Sequence, residues 1–295
     1  MNTKLQSRIY QLRESVINNS FKSDELLNLI KDCISQRPSN EYFHQLLEIA
    51  HISNVSKNIN KSKQTDIWFK YLLEIIKISR FNVGYLLKQR AEVYKNKAAL
   101  HIIKKGKVYN VSYDSLWKRV IEVGKGLSLF NNQGKKPTVG LLTHNQLNGA
   151  LVDLACLSFG YKVVPIPLNS TPEHVSYIIN HSEISHLFIG GNTGERVWNE
   201  IKDLHNVIDI NLSEVNKPSN YSMNWNSFIY SGDIVQDFSV DELLDKVDLN
   251  ALQTIMYTSG TTSNPKGIIF DQLNIISKRF ARALALPELN SEDVF

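Results

Sequence analysis

Hydrophobic side chains in the first 80 residues recur every three or four positions, which is the spacing of one face of an α-helix. Four such stretches follow one another, and almost nothing between them alternates as a strand does. The pattern predicts a small helical bundle with these side chains in its core. They are Leu5, Ile9, Leu12 and Val16; Leu26, Leu27, Leu29, Ile30 and Cys33; Tyr42, Phe43, Leu46, Leu47 and Ile49; and Trp68, Tyr71, Leu72, Ile75 and Ile76.

Polar residues suggest where these helices begin and how they are joined. Ser23 and Ser39 stand just before the second and third stretches and are predicted to be their N-caps. Residues 53–65 are rich in Asn, Ser and Lys, so we expect a polar linker there. The leucine and aromatic stripes are typical of a core, and we find no catalytic constellation among them.

From Phe81 onward the pattern changes to strands that alternate with helices. A short helix begins near Phe81, residues 98–103 and 108–111 read as a hairpin, and residues 112–130 read as a long helix. Thr171 is the predicted N-cap of a later helix that has Pro172 at its first position. The remaining predicted strands are residues 138–143, 162–166, 186–189, 207–210, 252–256 and 268–270, and the remaining helices are residues 146–159, 172–180, 196–204 and 273–286.

Alternation of this kind is typical of βαβ units and a parallel sheet, so the predicted fold class is α/β. A change of composition near Phe81 separates this part from the helical residues 1–80. We therefore expect two domains, residues 1–80 and residues 81–295.

One polar segment follows directly after the predicted buried strand of residues 252–256. Glycines let backbone N–H groups approach a phosphate, hydroxyls donate further hydrogen bonds, and a lysine adds positive charge. These residue types favour a loop that binds polyphosphate, although on composition alone a solvated turn is the alternative. The segment is Tyr257-Thr258-Ser259-Gly260-Thr261-Thr262-Ser263-Asn264-Pro265-Lys266-Gly267.

The segment is not a Walker A loop, in which Gly-Lys is followed by Ser or Thr, because Pro265 precedes Lys266 and Gly267 follows it. It resembles the phosphate-binding signature Tyr-Thr-Ser-Gly-Thr-Thr-Gly-x-Pro-Lys-Gly of the AMP-forming superfamily of acyl-CoA synthetases, luciferases and adenylation domains. The departure is Ser263, where that superfamily most often has glycine. Either the serine backbone is strained there, or its hydroxyl adds a contact to the phosphates.

A second resemblance lies upstream. Residues 153–167 are similar to the helix–Gly–strand passage of the superfamily, and residues 171–183 are most similar to its long-chain fatty acyl-CoA synthetase branch. After the signature, the superfamily commonly has Thr-His where this chain has Asp271-Gln272. The substrate-channel role of that histidine is therefore left open here.

The resemblance implies that residues 81–295 are the first part of a large adenylating domain, with parallel sheets flanked by helices, and that residues 1–80 are a helical extension. The implied reaction uses ATP and Mg²⁺ to convert a carboxylic acid into an acyl-adenylate, with release of pyrophosphate, and the resemblance to the long-chain branch implies that this acid is a fatty acid. Coenzyme A then takes the acyl group as a thioester. The implied ATP-binding residues are Thr258, Ser259, Gly260, Thr261, Thr262, Ser263, Lys266 and Gly267, with Lys266 also the catalytic residue.

The later motifs of the superfamily are absent from this sequence, so we expect the chain alone to be incomplete as a ligase. Two alternatives stay open. One is a non-catalytic module whose residues 1–80 bind a protein partner, and the other is an amino-acid adenylation domain.

Composition and charge bear on the class of protein and on the binding partners to expect. The chain is 42% hydrophobic and 21% charged, a globular composition. Its net charge of +4 originates in residues 1–80, which carry 12 basic and 8 acidic side chains, whereas the rest carries 21 of each. The cluster of Lys57, Lys61 and Lys63 falls in the expected linker, which favours a solvated segment over a nucleic-acid or lipid patch.

No apolar run reaches the length of a membrane span and no secretory signal is evident, so we expect a cytoplasmic protein, with contact to a membrane surface left open. Cys33 and Cys156 are predicted to be buried free thiols. The three histidines His144, His174 and His181 have no metal-ligand spacing, and loop or cap roles are expected for them. The acidic residues Asp241, Glu242, Asp245 and Asp248 are expected to form a solvated helix face.

Overall fold

A computed structural model describes residues 3–104, 106–214, 221–258, 264–289 and 293. The chain divides into two compact units, of which the first is Met1–Asn82 together with Leu273–Phe295 and the second is Val83–Gln272. The first unit begins with five helices: α1 (Thr3–Ile17), α2 (Ser23–Gln36), α3 (Asn40–Ala50), α4 (Ser53–Lys61) and α5 (Thr65–Ser79).

The apolar positions that predict the bundle form its core. All of them are buried except Tyr71, which is half-buried. Ser39 precedes α3 as expected, although its side chain makes no capping hydrogen bond. The prediction for Ser23 is wrong by one residue, because Ser23 is the first helical residue of α2 and Lys22 is the N-cap.

The expected linker at residues 53–65 is wrong, because most of it is helix α4. Val55 and Ile59 lie one turn apart on the same face and are both 0% exposed. Burial of this pair outweighs the weak helix propensity of the surrounding Asn and Ser residues. The asparagines also act as donors, since Asn54 Nδ2 bonds the carbonyl of Val16 at 3.0 Å.

The last helix in the described ranges, α13 (Gln272–Ala285), packs within the first unit from Leu273 onward. Its Phe280 is 1% exposed and stacks on His51 with ring centroids 4.2 Å apart. Asn60 Nδ2 donates to the carbonyl of Leu284 at 2.8 Å. A helix far along the chain therefore completes the N-terminal bundle.

The second unit holds the α/β part of the chain. Its helices are α6 (Val83–Tyr94), α7 (Tyr113–Ser128), α8 (Leu147–Phe159), α9 (Pro172–His181), α10 (Gly191–Ile201), α11 (Trp225–Gly232) and α12 (Val240–Asp245), with a 3₁₀ turn at Lys202–Leu204. Its strands are β1 (Ala98–Lys104), β2 (Lys107–Ser112), β3 (Thr138–Thr143), β4 (Lys162–Pro165), β5 (His186–Gly190), β6 (Ile208–Asn211), β7 (Met223–Asn224), β8 (Leu252–Thr258) and β9 (Lys266–Asp271).

Strands β1 and β2 form a separate antiparallel hairpin, and the other strands form one sheet in the order β7-β6-β5-β3-β4-β8-β9. The sheet is parallel apart from its last pair, β8 and β9. The predicted α/β class is confirmed, and the expectation of a parallel sheet needs this correction at one edge. Residues 259–265 are too few for the crossover that a parallel pair requires, so β9 returns beside β8 in the opposite direction.

Local sequence signals fix several element ends. The Thr171 hydroxyl accepts a hydrogen bond from the backbone N–H of His174 at 3.3 Å, which confirms it as the N-cap of α9. Ser112 caps α7 in the same way through Ser115. Gly160 ends α8 in the left-handed conformation, at φ +70°, which favours glycine.

A buried glutamine near the start of β8 joins three parts of the second unit. Gln253 is 2% exposed, and its Nε2 donates to the carbonyl of Cys156 at 3.0 Å and to that of Tyr161. These carbonyls lie near the end of α8 and before β4. Both protons of the Gln253 amide are thereby used, as burial of a polar group requires.

A second buried glutamine, in the residue that follows β9, completes this network at the same end of the β8–β9 hairpin. Gln272 is 0% exposed, and its Nε2 donates to Gln253 Oε1 at 2.9 Å and to the carbonyl of Leu157. Its Oε1 accepts from the backbone N–H of Val83 at 3.5 Å. The pair therefore ties β8 and the residue after β9 to the helices that cover the sheet.

We predict that Gln272→Leu lowers the free energy of unfolding by about 1–3 kcal/mol, because the buried groups that bond this amide are left without a hydrogen-bond partner. Gln253→Leu should cost a similar amount, and the double variant should cost less than the two together, since the shared bond is lost once. Urea denaturation of the four proteins measures this coupling. Gln11→Leu, at an exposed glutamine on α1, is the control and should change stability little. Strictly additive losses would contradict the direct pairing.

The histidine that opens β5 is buried in its neutral form. His186 is 7% exposed, packs against Phe130 with ring centroids 4.2 Å apart, and places its Nδ1 3.0 Å from Ser185 Oγ. Its Nε2 is buried and has no hydrogen-bond partner among the described residues. Burial lowers the pKa of His186 to about 4, from an ordinary value of 6.5.

We therefore predict that acidification from pH 6.5 to 4 destabilises the fold through His186. Over this range the unfolded chain takes up a proton at His186 that the folded chain excludes, at a cost of about 3 kcal/mol. Urea denaturation across this range should show the loss in the native protein and a smaller loss in His186→Phe, which keeps the aromatic ring but cannot titrate. Parallel pH profiles of the two proteins would contradict the assignment.

Candidate functional site

The polar segment singled out in the sequence connects β8 to β9 at one edge of the sheet. Strand β8 runs parallel to β4, which runs parallel to β3, so the end of β8 lies at the edge where the carboxyl ends of these strands meet. In open α/β sheets this is the edge at which ligands bind. The fold thus places the segment where a binding site is expected.

Three of the predicted site residues lie at the base of this connection. The register of the hairpin pairs Thr258 with Lys266 and Tyr257 with Gly267. The other predicted site residues, Ser259, Gly260, Thr261, Thr262 and Ser263, lie outside the described residues, so their roles stay predictions.

Thr258, the last residue of β8, and Lys266, the first residue of β9, are both exposed to solvent. Within the described part of the chain, Lys266 forms no ion pair with an acidic side chain. An ammonium group without a carboxylate partner is available to pair with an anionic ligand. This placement fits the predicted contact of Lys266 with a phosphate group.

One residue before Thr258 on β8, the hydroxyl of Tyr257 lies within hydrogen-bonding distance of two side chains from the end of α9. It lies 2.6 Å from His181 Nδ1 and 2.7 Å from Ser182 Oγ. Tyr257 is 6% exposed and Ser182 is 2% exposed, and burial raises the pKa of Tyr257 above its ordinary value. The hydroxyl therefore keeps its proton at neutral pH and can donate one hydrogen bond while it accepts the other.

Local contacts at the end of α9 position the side chains of His181 and Ser182. Tyr177 stacks on His181 with ring centroids 5.2 Å apart, one helical turn before it. Ser182 follows as the C-cap, and Glu183 leaves the helix at φ +55°. The loop or cap role expected for His181 is therefore too limited, because its ring also contacts the strand that leads into the candidate site.

Sequence reasoning missed this contact, since His181 and Tyr257 lie 76 positions apart. The stacked pair at i and i+4, Tyr177 and His181, is the local signal that was available. It indicates an ordered imidazole at the end of a helix, but it does not identify the partner.

Gly267, opposite Tyr257, is required by packing. A Cβ at this position would lie 2.9 Å from Ile255 Cγ2 and 3.2 Å from Tyr257 Cζ. A larger residue would force β9 away from the Tyr257 ring. The last glycine of the segment thus serves the fit of the two strands, in addition to any approach to phosphate.

Gln272, which stands where the superfamily commonly has histidine, is an internal brace in this chain. Its amide is engaged by Leu157, Gln253 and Val83, and it is 0% exposed. Its amide is thereby satisfied within the second unit, as burial of a polar group requires.

The remaining candidates from the sequence are the acidic run of residues 241–248 and the two cysteines. Asp241, Glu242, Asp245 and Asp248 are all exposed, as expected of a solvated face, although Asp248 lies beyond the end of α12. Two of them make surface contacts, since Asp241 accepts from Lys88 at 2.5 Å and Asp245 accepts from the Tyr85 hydroxyl at 2.6 Å. No group of three His, Cys, Asp or Glu side chains in the described ranges is arranged to hold a metal ion. Cys33 and Cys156 are buried free thiols, as predicted.

A model of the family described as "AMP-binding enzyme" matches residues 87–295, more than two thirds of the chain. The chain belongs to this family. The family resemblance seen in the polar segment between β8 and β9 is thereby confirmed.

Curated relatives extend the comparison to acyl-CoA synthetases. Fatty acyl-CoA synthetase A of Dictyostelium discoideum is 28% identical over 204 residues, which cover 63% of this chain and 29% of that protein. A long-chain-fatty-acid–CoA ligase of Rattus norvegicus is 24% identical over 200 residues, covering 66% of this chain and 27% of the relative. The chain thus spans less than a third of the length of these relatives.

Among solved structures, the fold is similar to that of the anthranilate CoA ligase AuaEII in complex with anthranoyl-AMP. The TM-score is 0.54 at 19% identity, over 65% of this chain and 35% of that one. This likeness supports the fold assignment. No helix in the described ranges has the length and apolar character needed to cross a lipid bilayer.

We predict that Tyr257→Phe lowers the free energy of unfolding by about 1–2 kcal/mol, because it removes the hydroxyl shared by His181 and Ser182. Chemical denaturation measures the loss. Tyr230→Phe is the control, since Tyr230 is 75% exposed and its variant should be as stable as the parent protein. Equal stability of both variants would show that the Tyr257 contacts contribute nothing.

Proposed function

We propose that this chain supplies the phosphate-binding part of an enzyme that activates a carboxylic acid with ATP and then transfers the acyl group to coenzyme A. The observation that carries the proposal is the conjunction of family membership with the placement of Thr258 and Lys266 at the carboxyl edge of the sheet. A fatty acid is the favoured substrate, in keeping with the names of the curated relatives.

In the proposed reaction, a carboxylate oxygen attacks the α-phosphorus of ATP. The bond from that phosphorus to the bridging oxygen breaks, and the electron pair leaves with pyrophosphate. In the second step the sulfur of coenzyme A attacks the acyl carbonyl carbon, the thiol loses its proton, and AMP departs. The first step places growing negative charge on the leaving pyrophosphate.

The contribution of this chain would be to hold the β- and γ-phosphates during the first step. Lys266 would place its ammonium group against the phosphate oxygens, and the Thr258 hydroxyl would donate a hydrogen bond from the opposite strand. Ser259, Gly260, Thr261, Thr262 and Ser263 would add backbone N–H groups and hydroxyls. Donors fixed before the reaction stabilise the leaving charge without reorganising.

Anchoring of both strands supports this role. Tyr257 is held from α9, Gly267 packs against the Tyr257 ring, and the buried glutamine pair fixes the far end of the hairpin. A ligand that meets groups already in place loses less free energy to ordering than one that must assemble them.

Mg²⁺ and coenzyme A are part of the proposal because the resemblance to acyl-CoA synthetases implies them. Mg²⁺ would neutralise phosphate charge, and no step above depends on a metal ligand from the described residues. The assignment of residues 81–295 to the adenylating domain, and of residues 1–80 to a helical extension with a role of its own, belongs to the same proposal.

The test is exchange of labelled pyrophosphate into ATP by the complete protein that carries this sequence. We expect exchange that depends on a long-chain fatty acid, and a fall of about 100-fold in its rate in Lys266→Ala. Lys246→Ala is the matched control, because Lys246 is an exposed lysine next to Glu242 on the surface of the same unit.

The outcomes separate the alternatives. Exchange that depends on an amino acid instead of a fatty acid would identify an amino-acid adenylation domain. Absence of exchange with every carboxylate would favour a non-catalytic module. Exchange that survives in Lys266→Ala at the parent rate would remove Lys266 from the catalytic site.

A further inference from the structure

The tip of the β1–β2 hairpin exposes apolar side chains that the rest of the second unit does not cover. Ile103 is 75% exposed, Val108 is 61% exposed and Tyr109 is 52% exposed. Gly106, in the turn, has φ +73°, and nothing lies within 4 Å of the position of its absent Cβ. The tip therefore stands clear of the described part of the protein.

Cross-strand pairing sorts these side chains by type. Ile103 lies directly opposite Val108, and Lys104 lies directly opposite Lys107. Because neighbouring pairs along a hairpin point to opposite faces, Ile103 and Val108 point to one face, and Lys104 and Lys107 point to the other, which also carries Tyr109. We call Ile103, Lys104, Lys107 and Val108 the hairpin tip.

The two lysines gain no stabilisation from acidic partners in the described ranges. Neither Lys104 nor Lys107 forms an ion pair there. Like charges directly opposite each other on two strands are unfavourable. Folding therefore leaves a like-charge pair that an external anion would relieve.

The surrounding sequence adds to this positive charge. Residues 93–113 contain no Asp or Glu, although the whole of residues 81–295 carries equal numbers of basic and acidic side chains. The basic charge is thus concentrated around the hairpin. The lysines in this stretch are Lys95, Lys97, Lys104, Lys105 and Lys107.

We propose that the hairpin tip is a docking surface for a membrane that contains anionic phospholipids. Lysines near such a surface are attracted to its negative potential. Ile103 and Val108 would at the same time enter the boundary between headgroups and acyl chains, where exposed apolar side chains leave water. The proposal does not depend on the catalytic function proposed above.

The apolar pair distinguishes a lipid surface from nucleic acid, the other common partner of a basic patch. Binding to a phosphate backbone depends on lysines and salt and gains nothing from Ile103 or Val108. A lipid surface uses both kinds of side chain. The joint exposure of the two pairs on one tip therefore favours lipid.

The experiment is co-sedimentation of the 295-residue chain with vesicles of phosphatidylcholine alone or of phosphatidylcholine with phosphatidylserine. We expect binding to the anionic vesicles that weakens as salt rises above about 0.1 M. Lys104→Glu with Lys107→Glu, and separately Ile103→Ser with Val108→Ser, should each weaken partitioning by about tenfold or more.

Matched controls change the same residue types elsewhere in the second unit. Lys118→Glu with Lys246→Glu alters net charge equally, and Tyr230→Ser with Ile234→Ser removes two side chains that are 75% and 69% exposed. Both control pairs should bind vesicles as the parent chain does. Thermal melting of every variant checks that the fold is intact.

Three results would overturn the proposal. Equal losses of vesicle binding in the Lys104/Lys107 variant and in the Lys118/Lys246 control would mean that binding depends on net charge alone. Full vesicle binding by the Ile103→Ser and Val108→Ser variant, together with competition by a single-stranded oligonucleotide, would identify a nucleic-acid patch. Conversion of a dimer into a monomer by the same variant, without vesicle binding by the parent chain, would show that a second copy covers this face.

Discussion

The candidate site depends on one constraint: the β8–β9 hairpin is fixed at both of its ends by buried polar side chains. At the far end, Gln253 and Gln272 bond each other and the carbonyls around α8. At the end next to the site, the Tyr257 hydroxyl is shared between His181 and Ser182. A buried amide or hydroxyl has few ways to satisfy its hydrogen bonds, so each contact specifies one position of the strand.

This constraint connects the framework to the proposed chemistry. Apolar packing alone tolerates small shifts of a strand, whereas a hydroxyl held at 2.6 Å and 2.7 Å from two partners does not. Gly267 permits β9 to lie against the Tyr257 ring, and the register then places Lys266 opposite Thr258. The direction from which a phosphate would meet the lysine is therefore decided by residues that would not touch the phosphate.

Local signals in the sequence were sufficient for much of the fold. Thr171 with Pro172, and Gly160 after an apolar run, predict element ends that the structure confirms, because caps depend on neighbouring residues. The linker at residues 53–65 was predicted wrongly, since Asn-rich composition does not reveal that Val55 and Ile59 are buried. Contacts such as that of His181 with Tyr257 depend on the tertiary fold, and no local pattern specifies them. The direction of β9 follows from the short connection to β8, because residues 259–265 are too few for a parallel crossover.

The central claim is that the anchoring of Tyr257 prepares the site for a nucleotide. Its most direct test is the dissociation constant of Mg·ATP, measured by titration calorimetry on the complete protein and on a variant with His181→Phe and Ser182→Ala. The account predicts affinity weaker by about tenfold, equivalent to about 1.4 kcal/mol, in a protein that still folds cooperatively. An unchanged dissociation constant in the folded variant would contradict it.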